Sequence, residues 1–268
     1  MTVNPYTAAA IAEVVLYVPA VPVALYLMIR NWKYRPRTAW YPPAAFSTIR
    51  LVGGIMTIIE QQNQSNRGLV VATIVLLNVG LIPLLMAFLG YARLVLEHDF
   101  RDSWRVRMFL RLVKICVLVA AGLLGAAGGY AGNPEFANSQ STLSKAAYGL
   151  FSAAILALIA SFIGMALNPR RITMAHRLYV KWALFAAIPL CVRAVYGIIG
   201  VAVASGNNFF ASAWSSLFGS ATAFGLMALL PEYVVLGIYL YLSAYHLRSK
   251  GKPEVVEGGT KHRSDDMS

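Results

Sequence analysis

Residues 69–92 read LVVATIVLLNVGLIPLLMAFLGYA and contain no charged side chain. Such a run is typical of a transmembrane helix, because about 20 apolar residues cross a hydrocarbon core of about 30 Å. A membrane-spanning β-barrel would instead show short segments of alternating hydrophobicity. The sequence therefore predicts an all-α, polytopic membrane protein with seven transmembrane helices. We number these spans 1 to 7 in chain order, at about 7–29, 44–61, 69–92, 109–131, 146–167, 178–204 and 222–247.

The basic residues outside the spans are concentrated in alternate loops. The chain is 58% hydrophobic and 13% charged, and its formal net charge is +12. One set of loops holds only Arg67 and Lys145, whereas the other set and the C-terminal segment hold many, among them Arg30, Arg93, Arg107, Arg177 and Arg248. By the positive-inside rule, the N-terminus is lumenal or extracellular and the C-terminus is cytosolic. This distribution indicates contact with anionic lipid and no binding of nucleic acid.

The spans predict one transmembrane domain over residues 1–247. Residues 248–268 are rich in Gly, Lys and Asp without apolar periodicity, which predicts a disordered, basic cytosolic tail. With no peroxisomal or mitochondrial signal visible, the endoplasmic reticulum membrane is the expected location. The expected partners are a small molecule and the lipid bilayer, with no obligate protein partner.

Two parts of the chain match each other. Ile49-Arg50-Leu51-Val52-Gly53-Gly54-Ile55 in span 2 resembles Val192-Arg193-Ala194-Val195-Tyr196-Gly197-Ile198 in span 6. Leu81-Ile82-Pro83 and His98 in and after span 3 likewise correspond to Leu229-Leu230-Pro231 and His246 in span 7. Two parallel three-helix units joined by span 4, a 3+1+3 plan, would produce this pattern. Span 4 itself carries four glycines that predict a close-packing face, namely Gly122, Gly125, Gly128 and Gly129.

Ionisable residues within the spans are the first candidates for function. A charge at that depth costs at least ~2.5 kcal/mol unless it is paired, hydrated or neutralised, so each should face the bundle interior. Arg193 and Glu232 both fall near the midplane. Either the two form a buried ion pair, or Glu232 is a protonated acid. Pro231 loosens the helix beside that carboxyl. The full set is Glu13 in the outer third, Arg50 in the inner half, Glu60 at the lumenal end of span 2, Arg193 and Glu232.

Aromatic residues are dense around these charges. In a membrane span, the ordinary role of such a ring is packing or interfacial anchoring. A pocket with buried carboxyls and aromatic faces also suits an apolar substrate that becomes cationic, because a desolvated cation gains roughly 2 kcal/mol or more from a ring face. We expect the working cavity between spans 1, 2, 6 and 7, open to the lumenal half, with Tyr17, Tyr196, Phe224 and Tyr233 in its wall.

The chain resembles the small seven-helix fungal integral-membrane terpene cyclases of meroterpenoid biosynthesis in its length, its helix number and the placement of Glu60 and Glu232. The resemblance implies an enzyme in which Glu60 or Glu232 protonates a terminal epoxide or olefin of a prenylated substrate. The other acid orients the donor or takes the final proton, and Glu13 is a third candidate. Tyr17, Arg50, Arg193, Tyr196, Phe224 and Tyr233 would then contact the substrate. The family's better-known branch has Asp where this chain has Glu232.

A second resemblance competes with the first. Fungal seven-helix proteins of the lipid-translocating exporter class carry an Arg-x-x-Tyr on helix 6, and Arg193-Ala194-Val195-Tyr196 is similar. Gly197 and Gly200 stand where the class has a second Arg and a Glu. Under this resemblance Arg50, Arg193 and Glu232 would line a lipid or amphiphile path.

No cofactor is expected from the sequence. It contains neither a phosphate-binding glycine loop nor a nucleophile elbow. His98, His176 and His246 all fall at predicted cytosolic helix ends and offer no local pair for a metal, so no metal site is expected.

Overall fold

A computed structural model describes residues 5–62, 67–99, 104–130, 134–168, 170, 172–203 and 220–250. The prediction of seven spans is confirmed, because seven helical stretches among these described residues are long and apolar enough to cross a membrane. They are Thr7–Asn31, Arg37–Gln61, Val71–Glu97, Trp104–Gly129, Asn138–Leu167, His176–Val203 and Thr222–Ser249. The orientation in the membrane and the internal repeat stay predictions.

The described residues form helices and short connections, with no β-strand among them. The α-helices are α1 (Pro5–Asn31), α2 (Tyr41–Gln62), α3 (Arg67–Val79), α4 (Leu81–Asp99), α5 (Trp104–Gly129), α6 (Ala137–Leu167), α7 (Met174–Val203), α8 (Ala221–Phe224) and α9 (Leu230–Lys250). Short 3-10 turns at Arg37–Ala39 and Pro134–Phe136 precede α2 and α6. Spans 4 and 5 begin several residues before their predicted starts, since a helix can continue into the interface with basic and polar side chains. The predicted tail beyond Lys250 lies outside the described residues.

Spans 3 and 7 are interrupted, and these are the two spans in which the sequence match places a proline. Span 3 is divided at Gly80 into α3 and α4, three residues before Pro83. Span 7 contains a π-helical segment, Gly225–Leu229, immediately before Leu230 and Pro231. Each proline removes the N–H that would bond to the carbonyl four residues earlier. Proline alone is not sufficient, because α1 and α7 contain internal prolines and remain continuous.

Hydrogen bonds join the span ends that carry the predicted cytosolic loops. The Asn31 side-chain amide donates to the Ser243 carbonyl at 3.1 Å, joining spans 1 and 7. The Tyr91 hydroxyl donates to the Tyr239 carbonyl at 2.9 Å, joining spans 3 and 7. Gly90 lies directly against the backbone of the Arg37–Ala39 turn, leaving no room for a Cβ there. The bundle is thus tied together at this end by polar contacts as well as by apolar packing.

The prediction of a glycine packing face on span 4 is wrong at three of its four positions. A Cβ at Gly128 would lie 2.6 Å from Val75 Cγ2, so this residue does pack closely against span 3. At Gly122, Gly125 and Gly129 a Cβ would meet nothing within 4 Å. Their spacing of three and four residues places these three on the helix face that points away from the bundle.

Candidate functional site

Four buried charged side chains from four spans meet at one place, which we call the charge cluster: Glu13, Arg50, Arg193 and Glu232. Arg193 Nε donates to Glu232 Oε1 at 2.5 Å. Glu232 Oε2 forms an ion pair with Arg50 Nη2. Arg50 also pairs with Glu13, with 3.5 Å between Arg50 Nη1 and Glu13 Oε1. Their side chains are at most 3% exposed, so the pairs exclude water almost completely.

The charges of the cluster balance when all four groups are ionised, with two arginines against two glutamates. Burying an isolated charge in a membrane span is costly, and pairing lowers that cost only where the geometry is close. Both Glu232 oxygens face guanidinium groups, so of the two alternatives left open by the sequence the structure has the Arg193–Glu232 ion pair. It also shows that this pair is half of a larger arrangement, because Arg50 reaches the same carboxylate.

The inward face of α2 explains the placement of Arg50. Phe46, Arg50, Gly53, Thr57 and Glu60 are all buried, and their alternating spacing of four and three residues puts them on one side of the helix. The Arg50 side chain lies 5.8 Å from the centroid of the Phe46 ring, one turn earlier. A long guanidinium side chain also explains how Arg50 reaches Glu13 although the two were expected at different depths.

Span 3 places backbone beside the charge cluster, a contribution that was not among the predictions from the sequence. The Leu77 carbonyl accepts from Arg193 Nη2 at 3.5 Å. A Cβ at Gly80 would lie 2.9 Å from Arg50 Nη2, so only glycine leaves the guanidinium its present position. The available signal was Gly80 followed by Pro83, which marks irregular backbone within an otherwise apolar span.

Aromatic rings surround the cluster on two sides. Tyr17 packs edge-on against Phe46 and against Tyr233, each at 5.8 Å between ring centroids. On the other side the Arg193 guanidinium lies 5.8 Å from the Tyr196 ring, which is 6.4 Å from Phe224. The four aromatic residues expected in the pocket wall therefore adjoin the cluster, and Phe46 joins them. Two of these rings, Phe46 and Tyr196, lie beside the protein's own arginines, Arg50 and Arg193.

Glu60 is the predicted site residue that the structure does not bring into the cluster. It lies ten residues beyond Arg50 on α2, about 15 Å along the helix axis. The side chain is buried, and its Oε2 accepts from Gln61 Nε2 at 3.0 Å. Its Oε1 has no hydrogen-bond partner among the described residues. Glu60 and Glu232 therefore do not form a pair of acids at one site.

A groove with a volume of about 690 Å³ lies elsewhere, between the ends of α4, α5 and α6. Its wall is mostly apolar and includes Phe109 and Met165, with Arg105 and Asn168 as polar members. It shares no residue with the charge cluster. Within the described part of the chain, no group of three His, Cys, Asp or Glu side chains is arranged to hold a metal ion.

Comparison with known proteins gives a family and no activity. The family described as Domain of unknown function (DUF7702) matches residues 3–249, which include every predicted span. No curated protein and no solved structure matches the chain.

Proposed function

Because the chain belongs to the DUF7702 family, whose description carries no activity, we propose a function from the geometry: the protein translocates a lipid or another amphiphile across its membrane. The observation that carries this proposal is the meeting of Arg50 and Arg193 on the Glu232 carboxylate. The two arginines occupy corresponding positions in the matched segments of spans 2 and 6. They therefore meet where two halves of a repeat would face each other.

A second pair of corresponding residues supports the same plan. Gly54 and Gly197 occupy equal positions in the matched segments. A Cβ at Gly54 would lie 3.0 Å from Val14 Cγ2 in span 1, and Gly197 packs directly against the Tyr148 ring in span 5. Each glycine thus allows its span to approach the preceding one closely. Parallel repeats of this kind are a recurrent plan of transporters, whose substrate sites lie between the repeats near the bilayer midplane.

The interrupted helices also favour translocation. In transporters, broken spans place free backbone groups beside the substrate and provide points at which one part of the bundle moves against another. Here the break at Gly80 and the π-helical segment Gly225–Leu229 flank the charge cluster from spans 3 and 7. The Leu77 carbonyl already bonds to Arg193 in this way. We propose the endoplasmic reticulum as the membrane concerned.

A terpene cyclase is the second candidate, and Glu60 is the observation that favours it. A cyclase needs a carboxyl that can release a proton to an apolar substrate. Both Glu232 oxygens are paired with arginines, so neither of them faces space that a substrate could occupy. Glu60 is buried, and none of the ion pairs of the described residues involves it, so it is the better candidate acid. Glu232 would then have a structural role, pairing with the two arginines, and would take no part in proton transfer.

Translocation is tested with purified protein in liposomes that contain NBD-labelled phosphatidylcholine, phosphatidylserine or fatty acid. Dithionite quenching measures the rate at which each label crosses, with and without an imposed pH gradient. Vesicles with the protein should lose label from the inner leaflet faster than protein-free vesicles. Equal rates for the whole panel would overturn the proposal.

Two glycine substitutions connect that rate to the charge cluster. Gly80→Ala places a methyl group 2.9 Å from Arg50 Nη2, and Arg50 cannot simply turn aside because two carboxylates hold it. Overpacking of about 1–3 kcal/mol is typical of such a change, and we expect translocation to slow about tenfold, which corresponds to roughly 1.4 kcal/mol on the barrier. Gly53→Ala is the matched control, since its Cβ would lie 3.9 Å from Leu76 Cβ, an ordinary contact. Equal translocation rates for the two folded variants would show that the charge cluster is not involved in translocation.

A further inference from the structure

We infer that the charge cluster recognises an anionic headgroup, a carboxylate or a phosphate, which takes the place of Glu232 between Arg50 and Arg193. This inference rests on the proposed function, because it assigns the headgroup class of the amphiphile that the protein moves. In the structure Glu232 occupies the position that the headgroup takes when the carboxylate withdraws.

Hydrogen-bond donors without partners are the first observation that supports an anionic ligand. Arg50 Nε, Arg193 Nη1 and the Tyr17 hydroxyl are buried and have no hydrogen-bond partner among the described residues. The residues that hold them are 1%, 2% and 0% exposed. Guanidinium groups have no acceptor atoms, so only an acceptor can satisfy them. An oxyanion carries several acceptor lone pairs and binds two guanidinium groups with strong, charge-assisted hydrogen bonds.

The charge balance of the cluster also favours an anionic headgroup over a neutral or cationic one. When Glu232 withdraws, Arg50 and Arg193 face Glu13 alone, so the remaining side chains carry a net charge of plus one. A single anionic headgroup neutralises that charge. A cationic headgroup would add to it, and would have to compete with two arginines for the same carboxylates. A neutral headgroup would leave one buried guanidinium without a counter-charge, which is unfavourable in a low-dielectric interior.

The position of Glu232 in span 7 allows its carboxylate to move away from the arginines. The residue lies in the first turn of α9, directly after the π-helical segment Gly225–Leu229 and Pro231. A π-helical segment has an extra residue in one turn, and its conversion to α-helix or its shift along the chain rotates the residues that follow. The helix therefore contains a local means of turning Glu232 away from the arginines without unfolding span 7.

Chemical rescue tests the inference directly. In Glu232→Ala the carboxylate is replaced by a small cavity between the two arginines. Formate and methylphosphonate are the probes, one for each oxyanion type, and the thermal unfolding midpoint of the full-length protein in nanodiscs is measured against their concentration. We expect at least one of them to raise the midpoint of Glu232→Ala in a saturable manner. Glu97→Ala, which removes the 2.6 Å pair with Arg93, is the control and should show no saturable response.

Binding of amphiphiles of equal chain length tests the same point in the wild-type protein. Photoactivatable palmitate, lysophosphatidate, monoacylglycerol and a long-chain amine are compared by crosslinking in nanodiscs. We expect an anionic probe to bind at least about tenfold more tightly than the neutral probe, the effect of one charge-assisted hydrogen bond. Arg193→Gln, where it folds, should abolish the preference.

The outcomes separate the headgroup inference from the proposed function. Preference for the amine or the neutral probe, or a Glu232→Ala protein that formate and methylphosphonate leave unchanged, overturns the inference. Translocation of phosphatidylcholine with such a result would leave the proposed function standing. Selective anion binding with no translocation of any labelled lipid would overturn the proposed function and retain the anion site.

Discussion

Removal of the Glu232 charge should destabilise the protein strongly, because one carboxylate neutralises two buried arginines. Glu232→Gln leaves Arg50 with Glu13 at 3.5 Å, whereas Arg193 keeps the Leu77 carbonyl at 3.5 Å as its remaining described hydrogen bond. Removal of one partner of a buried ion pair typically lowers the free energy of unfolding by about 3–5 kcal/mol. We expect Glu232→Gln to fall in the upper half of that range, since its side chain is fully buried.

The corresponding double variant should recover part of that loss. Arg193→Gln alone leaves Glu232 paired with Arg50. In Arg193→Gln/Glu232→Gln the unpaired guanidinium is gone and the Arg50–Glu13 pair remains, so the double variant should be more stable than the sum of the single effects by about 2–3 kcal/mol. The partly exposed Arg93–Glu97 pair, four residues apart on one helix, provides the control, and its coupling should be about 0.3–0.5 kcal/mol.

Equilibrium unfolding in mixed micelles measures these free energies. The chain contains five tryptophans, so intrinsic fluorescence follows the transition without a label. Far-UV circular dichroism, which reports secondary structure, should give the same midpoint if unfolding is two-state. Additive effects, within about 0.3–0.5 kcal/mol, would refute the argument, because side chains in direct contact do not behave independently.

Two further predictions concern Glu60 and the orientation. If the second candidate function is right, microsomes containing the protein should cyclise farnesylated aromatic compounds or their terminal epoxides, and Glu60→Gln should abolish the product while Glu97→Gln retains it; no wild-type product across the panel contradicts that function. In sealed microsomes of a variant without the two native cysteines, a membrane-impermeant maleimide should label Arg107→Cys at once and Lys145→Cys only after permeabilisation. The reverse pattern would contradict the positive-inside assignment.

Much of the architecture was predictable from local composition. Seven apolar stretches of sufficient length predict seven spans, because the bilayer core sets the length and the unsatisfied backbone requires helices. The same reasoning places Arg50, Arg193 and Glu232 in the interior, since charged side chains avoid lipid. The glycines of span 4 show the limit of such arguments. Gly128 packs against Val75, whereas Gly125, only three residues away, faces outward.

The predicted site residues show the same division. The sequence identified which acids were buried, and the resemblance to terpene cyclases implied that Glu60 and Glu232 act together. The structure instead places Glu232 with Arg50 and Arg193. Phe46 and the backbone at Gly80 complete the cluster, although neither is a residue type that indicates a site by itself. A ring that packs on a guanidinium and a glycine that makes room for it become recognisable only when the spans are assembled.

The sequence alone determined the fold class, the number of spans and the small set of residues that must avoid lipid, because hydrophobic length and charge are properties of each segment taken singly. Only the tertiary structure decided which of those residues meet. That outcome depends on the rotation and tilt of each helix, which are set by close packing at residues such as Gly54 and Gly90 and by the breaks at Gly80 and before Pro231. A helix rotated by one residue turns a side chain by about 100°, enough to move a charge from one neighbour to another.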